Sequence, residues 1–276
     1  MTQVGLNDPL GTARAIAALH EELIELDFAC RVYTDLAEFN ALKLGLRGER
    51  AHPYHDPDIC GLAPDREFWM KLIDPDGSTV ALQAFRLDTI DTSLADWAPA
   101  YTIGLYMRRQ ELLIPMHASP PKNSIAERLR GRLAYHGELW IDKSERNRRV
   151  SDAFGRLGML IGFIKWQPEA IWALASQAMA THGHLTRMGY AHLERGFFRW
   201  KWATDGLDSV EWLAVAERPA IEQMVSEMLT TPQAEARPAV SAKPVVAREA
   251  LGGQAPGLAT DAEPVLEIGH RPRAVR

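Results

Sequence analysis

Cysteine is scarce. The chain of 276 residues holds two, Cys30 and Cys60, with neither a disulfide framework nor the CxxC spacing of a zinc site, so no stapled secreted fold and no cysteine metal centre is expected. An excess of positive charge is also missing. Lys and Arg number 31 against 36 Asp and Glu, the net charge is -5 and the pI is near 6.0, which argues against nucleic acid as a partner. No window approaches the ~18 apolar residues of a membrane span. The most apolar stretch, Leu157 to Trp172, is broken by Lys165, Gln167, Pro168 and Glu169. The N-terminal MTQVGLNDPLGTARA has no basic segment ahead of an unbroken apolar run, so no secretory leader is expected and the cytoplasm is the expected compartment. Aromatic residues are absent from Pro232 to Arg276, where prolines recur at 232, 238, 244, 256, 264 and 272. Such a segment buries too little apolar surface to offset its ordering entropy, so residues 232–276 are expected to be a disordered tail behind one domain, 1–231.

What is present is ordinary globular composition, 46% hydrophobic and 24% charged, carrying an α/β pattern. Ile16, Leu19, Leu23 and Leu26 recur at helical spacing within Leu10 to Phe28, with Thr12 available as a cap, so 1–28 is expected to be an N-terminal helical extension. Arg31 to Thr34 reads as a short strand, Leu36 to Leu46 as a helix, and the proline-bearing His52 to Arg66 as a loop. Glu67 to Ile73 and Ser78 to Leu87 flank Asp74-Pro75-Asp76-Gly77, a hairpin turn. A strand is expected near Tyr101 to Met107 and a loop at 115–121. Beyond it come strand Leu133 to Ile141, helix Val150 to Lys165, strand Ala170 to Ala175, helix Gln177 to Met188, strand Ala191 to Trp202 and helix Ala220 to Leu229. A hairpin followed by β-α-β-α-β predicts a mixed, mostly antiparallel sheet flanked by helices.

The chemistry concentrates between Leu133 and Trp202. Strand GELWI runs into DKSERNRRVS and then a helix with Val150, Phe154, Leu157, Ile161 and Ile164 on one face. A turn that presents backbone N–H groups at a helix N-terminus suits a pyrophosphate, and Arg146, Arg148 and Arg149 add charge there. This unit resembles the GNAT acyl-CoA N-acyltransferases, whose coenzyme A loop reads Q/R-x-x-G-x-G/A. Arg146-Asn147-Arg148-Arg149-Val150-Ser151 matches at Arg146 and at the small Ser151, with Arg149 where the middle glycine stands in the family. A frame shifted by two, Arg148 to Ala153, matches equally, and the strand's end at Ile141 favours the first frame. The strand AIWALA and the helix ending RMGYAHLERGFFRW extend the likeness, with Gly189 and Tyr190 at the family's Gly-aromatic turn. DPDGSTVALQAFRL and GELWIDKSERNRR are also similar to acyl-homoserine-lactone synthases and N-acyl amino acid synthases.

The resemblance implies a GNAT-like fold, acetyl-CoA or another acyl-CoA as co-substrate, and transfer to a small-molecule amine or amino-acid-like acceptor. Its oxyanion donors would be backbone N–H groups near Trp140 and Ile141. Strand alternation puts His136, Glu138 and Trp140 on one face, opposite Tyr135, Gly137, Leu139 and Ile141. Glu138 is the first candidate for the base that takes the amine proton and His136 the second. The family's proton-donating tyrosine falls here at Leu185, leaving His184 and Tyr190 as the nearest alternatives. His182, His184 and His192 lack the spacing of a metal pair, so no metal is expected. Two further readings stay open: a catalytically silent binding module, and a synthase that takes its acyl group from an acyl carrier protein.

Overall fold

The structure is a computed structural model, and it describes residues 8–110, 113–117, 120–148, 150–202 and 208–230. The expected tail, 232–276, lies outside the described residues. Helix α1 (Pro9–Glu25) is capped by Asp8, whose carboxylate accepts from the Gly11 N–H at 2.7 Å. Proline at the first helical position fixes the start. Thr12, the expected cap, lies inside the helix and returns its hydroxyl to the Asp8 carbonyl. Strand β1 (Ala29–Tyr33) leads to α2 (Leu36–Arg47), capped by Asp35 through the Ala37 and Glu38 N–H groups. The expected loop from His52 to Arg66 is wound into a 3-10 turn at Pro53–His55, the one-turn helix α3 (Pro57–Cys60) and a second 3-10 turn at Pro64–Arg66. Each opens on a proline, whose fixed φ suits a helical first position.

The hairpin of β2 (Glu67–Ile73) and β3 (Thr79–Ile90) forms as expected. The segment Tyr101 to Met107 does not form a strand; it lies in helix α4 (Leu94–Arg108), capped by Ser93. The run Tyr101-Thr102-Ile103 is strand-like, and Pro99 and Gly104 obscure helical periodicity. Packing of Leu94, Ala98, Thr102 and Leu105 against the sheet overrides those local preferences. Residues 113–117, which overlap the start of the loop expected at 115–121, form β4 (Leu113–His117) at a sheet edge, where a proline is tolerated. Strand β5 (Gly131–Ile141), α5 (Val150–Trp166) and β6 (Ala170–Ala175) follow the expected order. The next helix is split into α6 (Gln177–Thr181) and α7 (His184–Met188) by Gly183, at φ 74°. Strand β7 (His192–Trp202) then pairs with β8 (Asp208–Glu217), which sequence alternation did not mark because its Trp212–Ala216 run is apolar without interruption. Helix α8 (Arg218–Thr230) closes the described chain.

The eight strands form one sheet in the order β1-β2-β3-β5-β6-β8-β7-β4, and among the described residues only β5 and β6 pair in parallel. The fold class is therefore the expected one, a mixed and mostly antiparallel sheet flanked by helices. Each face carries a core. One face packs Leu19, Phe85, Phe154, Phe163 and Ile221 beneath α1, α5 and α8. The other packs Tyr54, Tyr135, Trp172, Phe197 and Trp200 beneath the 53–55 turn and α4, with a smaller group around Phe39, Trp69 and Trp140 under α2. Among the described residues no helix is long and apolar enough to cross a membrane.

Candidate active site

Parallel strands need a crossover, and α5 supplies it between β5 and β6. Their shared ladder is short: Leu133 faces Ala170, Ala134 faces Ile171 and Tyr135 faces Trp172, and there the register ends. Both strands continue, β5 to Ile141 and β6 to Ala175, each held on its far side by β3 or β8. The pair thus diverges at its C-terminal end, in the middle of the sheet. Ligands of open α/β sheets bind at such ends, because strand backbone there is not consumed by a neighbour.

A bulge lies at the mouth of this divergence. Between the partners Ala84–Gly137 and Leu82–Trp140 the register slips, and Glu138 takes φ 61°. A left-handed glutamate costs roughly 1–3 kcal/mol and persists only where its surroundings fix it. Here they do: one carboxylate oxygen accepts from Lys43 Nζ of α2 and the other from the His52 backbone N–H. Lys43 also lies 3.4 Å from Glu49. His52 Nδ1 accepts from the Tyr54 N–H at 3.3 Å, which leaves Nε2 to donate to the Tyr106 hydroxyl at 3.1 Å.

The extra residue also reverses the strand's alternation. His136 does not share a face with Glu138 and Trp140. It lies with Leu139 and Ile141 on the α5 side, stacked on Phe85 at 4.2 Å and bonded through Nδ1 to the Tyr190 hydroxyl at 2.8 Å. Glu138 and Trp140 face the α2 side with Tyr135. Period-two counting fails here because a bulge sets two residues of β5 opposite one of β3. Burial pushes the His136 ring down to about 3 and the Tyr190 hydroxyl well above its usual range. This pair is neutral and sealed.

Residues after β5 wind into a 3-10 segment, Lys143–Arg148, ahead of α5. It contains Arg146, Asn147 and Arg148; Arg149 lies outside the described residues. Arg146 Nε donates to the Ile141 carbonyl at 3.2 Å, while Val150 and Ser151 are buried in the first turn of α5. The basic run has acidic company. Asp142 is held below the usual carboxylate range by the Ser144 N–H and hydroxyl, and Asp152 pairs with Arg187 at 2.8 Å. His184, on α7, accepts from Arg187 at 2.9 Å, and its pKa is lowered by burial and then by that guanidinium. It belongs to this end of α5, and Leu185 beside it is fully buried. Among the described residues no cluster of His, Cys, Asp and Glu could hold a metal.

The sequence reading overlooked Lys43, His52, His55, Tyr106, Tyr135 and Trp172. One signal was available: His52 and His55 stand three apart among Pro53 and Pro57, the spacing of one 3-10 turn. Two surface clefts, one at Arg66 and Arg132 and one at Ser93 and Arg130, lie at the opposite end of β5.

No family model and no curated protein matches the chain. Among solved structures, Arabidopsis thaliana NAA60 in complex with acetyl-CoA overlaps 69% of this chain and 98% of its own, at 13% identity and TM-score 0.40. A spermidine N-acetyltransferase SpeG chimera from Vibrio cholerae and hSSAT overlaps 74% and 99%, at 11% identity and TM-score 0.39. FeeM, an N-acyl amino acid synthase from uncultured soil microbes, overlaps 70% and 91%, at 9% identity and TM-score 0.38. At such scores the overlap assigns no activity, and any functional reading has to come from the diverging strands and the residues around them.

Proposed function

We propose that this chain is an acyl-CoA-dependent N-acyltransferase, moving an acetyl or longer acyl group to a primary amine by direct attack within a ternary complex. The observation that carries the reading is the divergence of β5 from β6 after Tyr135 and Trp172, beside the bulged Glu138 and leading into the N-terminus of α5. A thioester laid in that opening has its carbonyl near the backbone N–H groups around Trp140 and Ile141, which supply oxyanion stabilisation. Its phosphates meet the first turn of α5, with Arg146, Asn147, Arg148, Val150 and Ser151 around them. The carboxylates there suit this role because Asp142 is satisfied by Ser144 and Asp152 by Arg187.

Glu138 is the residue we assign to remove the amine proton, through a bridging water, since Lys43 and the His52 N–H fix its orientation. His136 and Tyr190 take no part, being sealed on the other face. His184 lies at the phosphate end, so the thiolate leaves without a side-chain acid. The acceptor is a small-molecule amine approaching from the face of Tyr54 and Tyr135. Leu185 and the sealed Tyr190 favour one second reading, a module that binds the thioester without consuming it.

Calorimetric titration with coenzyme A, acetyl-CoA and a long-chain acyl-CoA tests the donor, and Arg146→Ala should weaken whichever binds. Saturation at ~100 times Kd stabilises the fold by ~2.7 kcal/mol, visible as a shift in Tm. Glu138→Gln should lower kcat by ~10²–10⁴ with donor Kd unchanged. Binding with no turnover on any amine would favour the silent module, and absence of donor binding would remove the acyl-CoA reading.

A further inference from the structure

The face of the sheet that carries Glu138 holds an aromatic cluster with an unusual polar inventory. His55 stacks on Tyr135 with ring centroids 5.5 Å apart, Tyr135 packs on Trp172 at 4.7 Å, and Tyr54 packs on Tyr135 at 4.5 Å. All four side chains are fully buried. Tyr54 is satisfied by Thr102 at 2.7 Å. The other three are not: among the described residues, both ring nitrogens of His55, the Tyr135 hydroxyl and the Trp172 Nε1–H have no hydrogen-bond partner. Each carries its full desolvation penalty, and four such atoms within one cluster point to a ligand that satisfies them.

Their position is that of the reaction centre. Tyr135 and Trp172 are the last paired residues before β5 and β6 diverge. His55 leans over Gly137, the residue before Glu138; a Cβ there would lie 2.8 Å from His55 Nε2. The Glu138 charge acts on the His55 ring. Trp172 can only donate, Tyr135 can donate, and a neutral His55 offers one donor and one acceptor. The charged groups around the cluster are matched. Arg86 places its fork on Asp88 and reaches Tyr101 and the Tyr54 carbonyl, Lys43 pairs with Glu138, and Arg109 lies 3.6 Å from Asp56. A carboxylate would enter without a counter-charge of its own, whereas a neutral oxygen meets donors alone.

We propose that His55, Tyr135 and Trp172 form an acceptor subsite for an amine bearing a neutral oxygen beside its nitrogen, as in an amino amide or amino alcohol. The oxygen accepts from Trp172 and Tyr135, and the nitrogen lies at the His55 and Glu138 end. Tyr54 and His55 ride on the 53–55 turn that covers Tyr135, so the acceptor enters by displacing that turn. The assignment rests on the acyltransferase reading for the word acceptor, and on the orphaned polar atoms for the site.

The test uses three compounds with one side chain: leucinamide, leucine and isopentylamine. Direct binding to the full chain is measured by calorimetry, and transfer from acetyl-CoA by thiol release, for the wild type, Tyr135→Phe and Trp172→Phe. The expected order of affinity is leucinamide first, with leucine and isopentylamine at least tenfold weaker. Tyr135→Phe should cost leucinamide about five- to tenfold in Kd and KM, and should cost isopentylamine, which has no oxygen for the hydroxyl to meet, far less. A merely structural tyrosine would move both compounds together. Removing an orphaned hydroxyl should also leave Tm unchanged or raised, and a clear fall in Tm would show that the hydroxyl has a structural partner and overturn the subsite. Leucinamide binding that weakens in Tyr135→Phe, in a protein that binds neither coenzyme A, acetyl-CoA nor a long-chain acyl-CoA, would keep the subsite and discard the acyltransferase reading. Turnover without preference among the three compounds would do the reverse, and no binding of any compound would overturn the subsite.

Discussion

The two faces of β5 hold the same kinds of residue in opposite circumstances. On the α5 face, His136 and Tyr190 bond to each other at 2.8 Å inside an apolar core. On the α2 face, Glu138 is anchored by Lys43 and the His52 N–H, and His55, Tyr135 and Trp172 keep polar atoms in reserve. A titratable side chain in the middle of a sheet is thus no sign of chemistry by itself. What separates the faces is where the unsatisfied atoms lie: among the described residues the α5 face holds His136 Nε2 and Gln83 Oε1 inside a sealed core, while the α2 face keeps a strained glutamate and orphaned donors at a gap between strands.

The sharpest way to break this contrast is through the buried ion pair. Removing one partner strands the other in a region where both are nearly inaccessible, so Lys43→Met should destabilise the fold by about 3–5 kcal/mol in urea unfolding. Lys43→Met combined with Glu138→Gln should recover part of that loss. Simple additivity of the two variants would show that the pair is not coupled.

A second effect concerns pH. Burial pushes both His55 and His136 down to about 3, so the folded rings stay neutral between that value and 6.5 while the unfolded chain takes up protons. Stability is therefore fully present above about pH 6.5 and is lost as the pH falls toward 3. Between pH 7.5 and 5.0 each ring should cost on the order of 2 kcal/mol. His136→Phe should remove about half of that dependence; an unchanged pH profile in the variant would assign the effect to other groups.

The smallest effect sharpens the difference between the faces. His136→Phe leaves the Tyr190 hydroxyl without its partner and should cost about 1–3 kcal/mol. Adding Tyr190→Phe should restore most of it, because replacing both members of a buried pair by apolar groups is nearly neutral. Acyl transfer, where measurable, should stay within a few-fold in both variants. A loss comparable with that of Glu138→Gln would bring the α5 face into the chemistry.

Local chemistry made much of the framework legible. The Asp74–Gly77 turn, the amphipathic stripe of α5 and the apolar run of β6 each report their own conformation, since turn geometry and periodic burial are properties of neighbouring residues. Elements governed by distant packing were not legible. Tyr101 to Met107 became helical against its own preference, β8 lacked alternation because both its faces are covered, and the helix expected over Gln177–Met188 divides at Gly183.

At the candidate site the division is the same. The sequence marked Glu138, the turn at Arg146–Ser151 and Leu185 in place of a tyrosine, through its resemblance to an acyltransferase family and not through residue type and spacing alone. Only the tertiary structure set Glu138 opposite His136, since a bulge depends on the register of β5 against β3. It alone brought Lys43, His52 and His55 from more than eighty residues away to Glu138, since the closure of a long loop against a sheet is decided by what it buries.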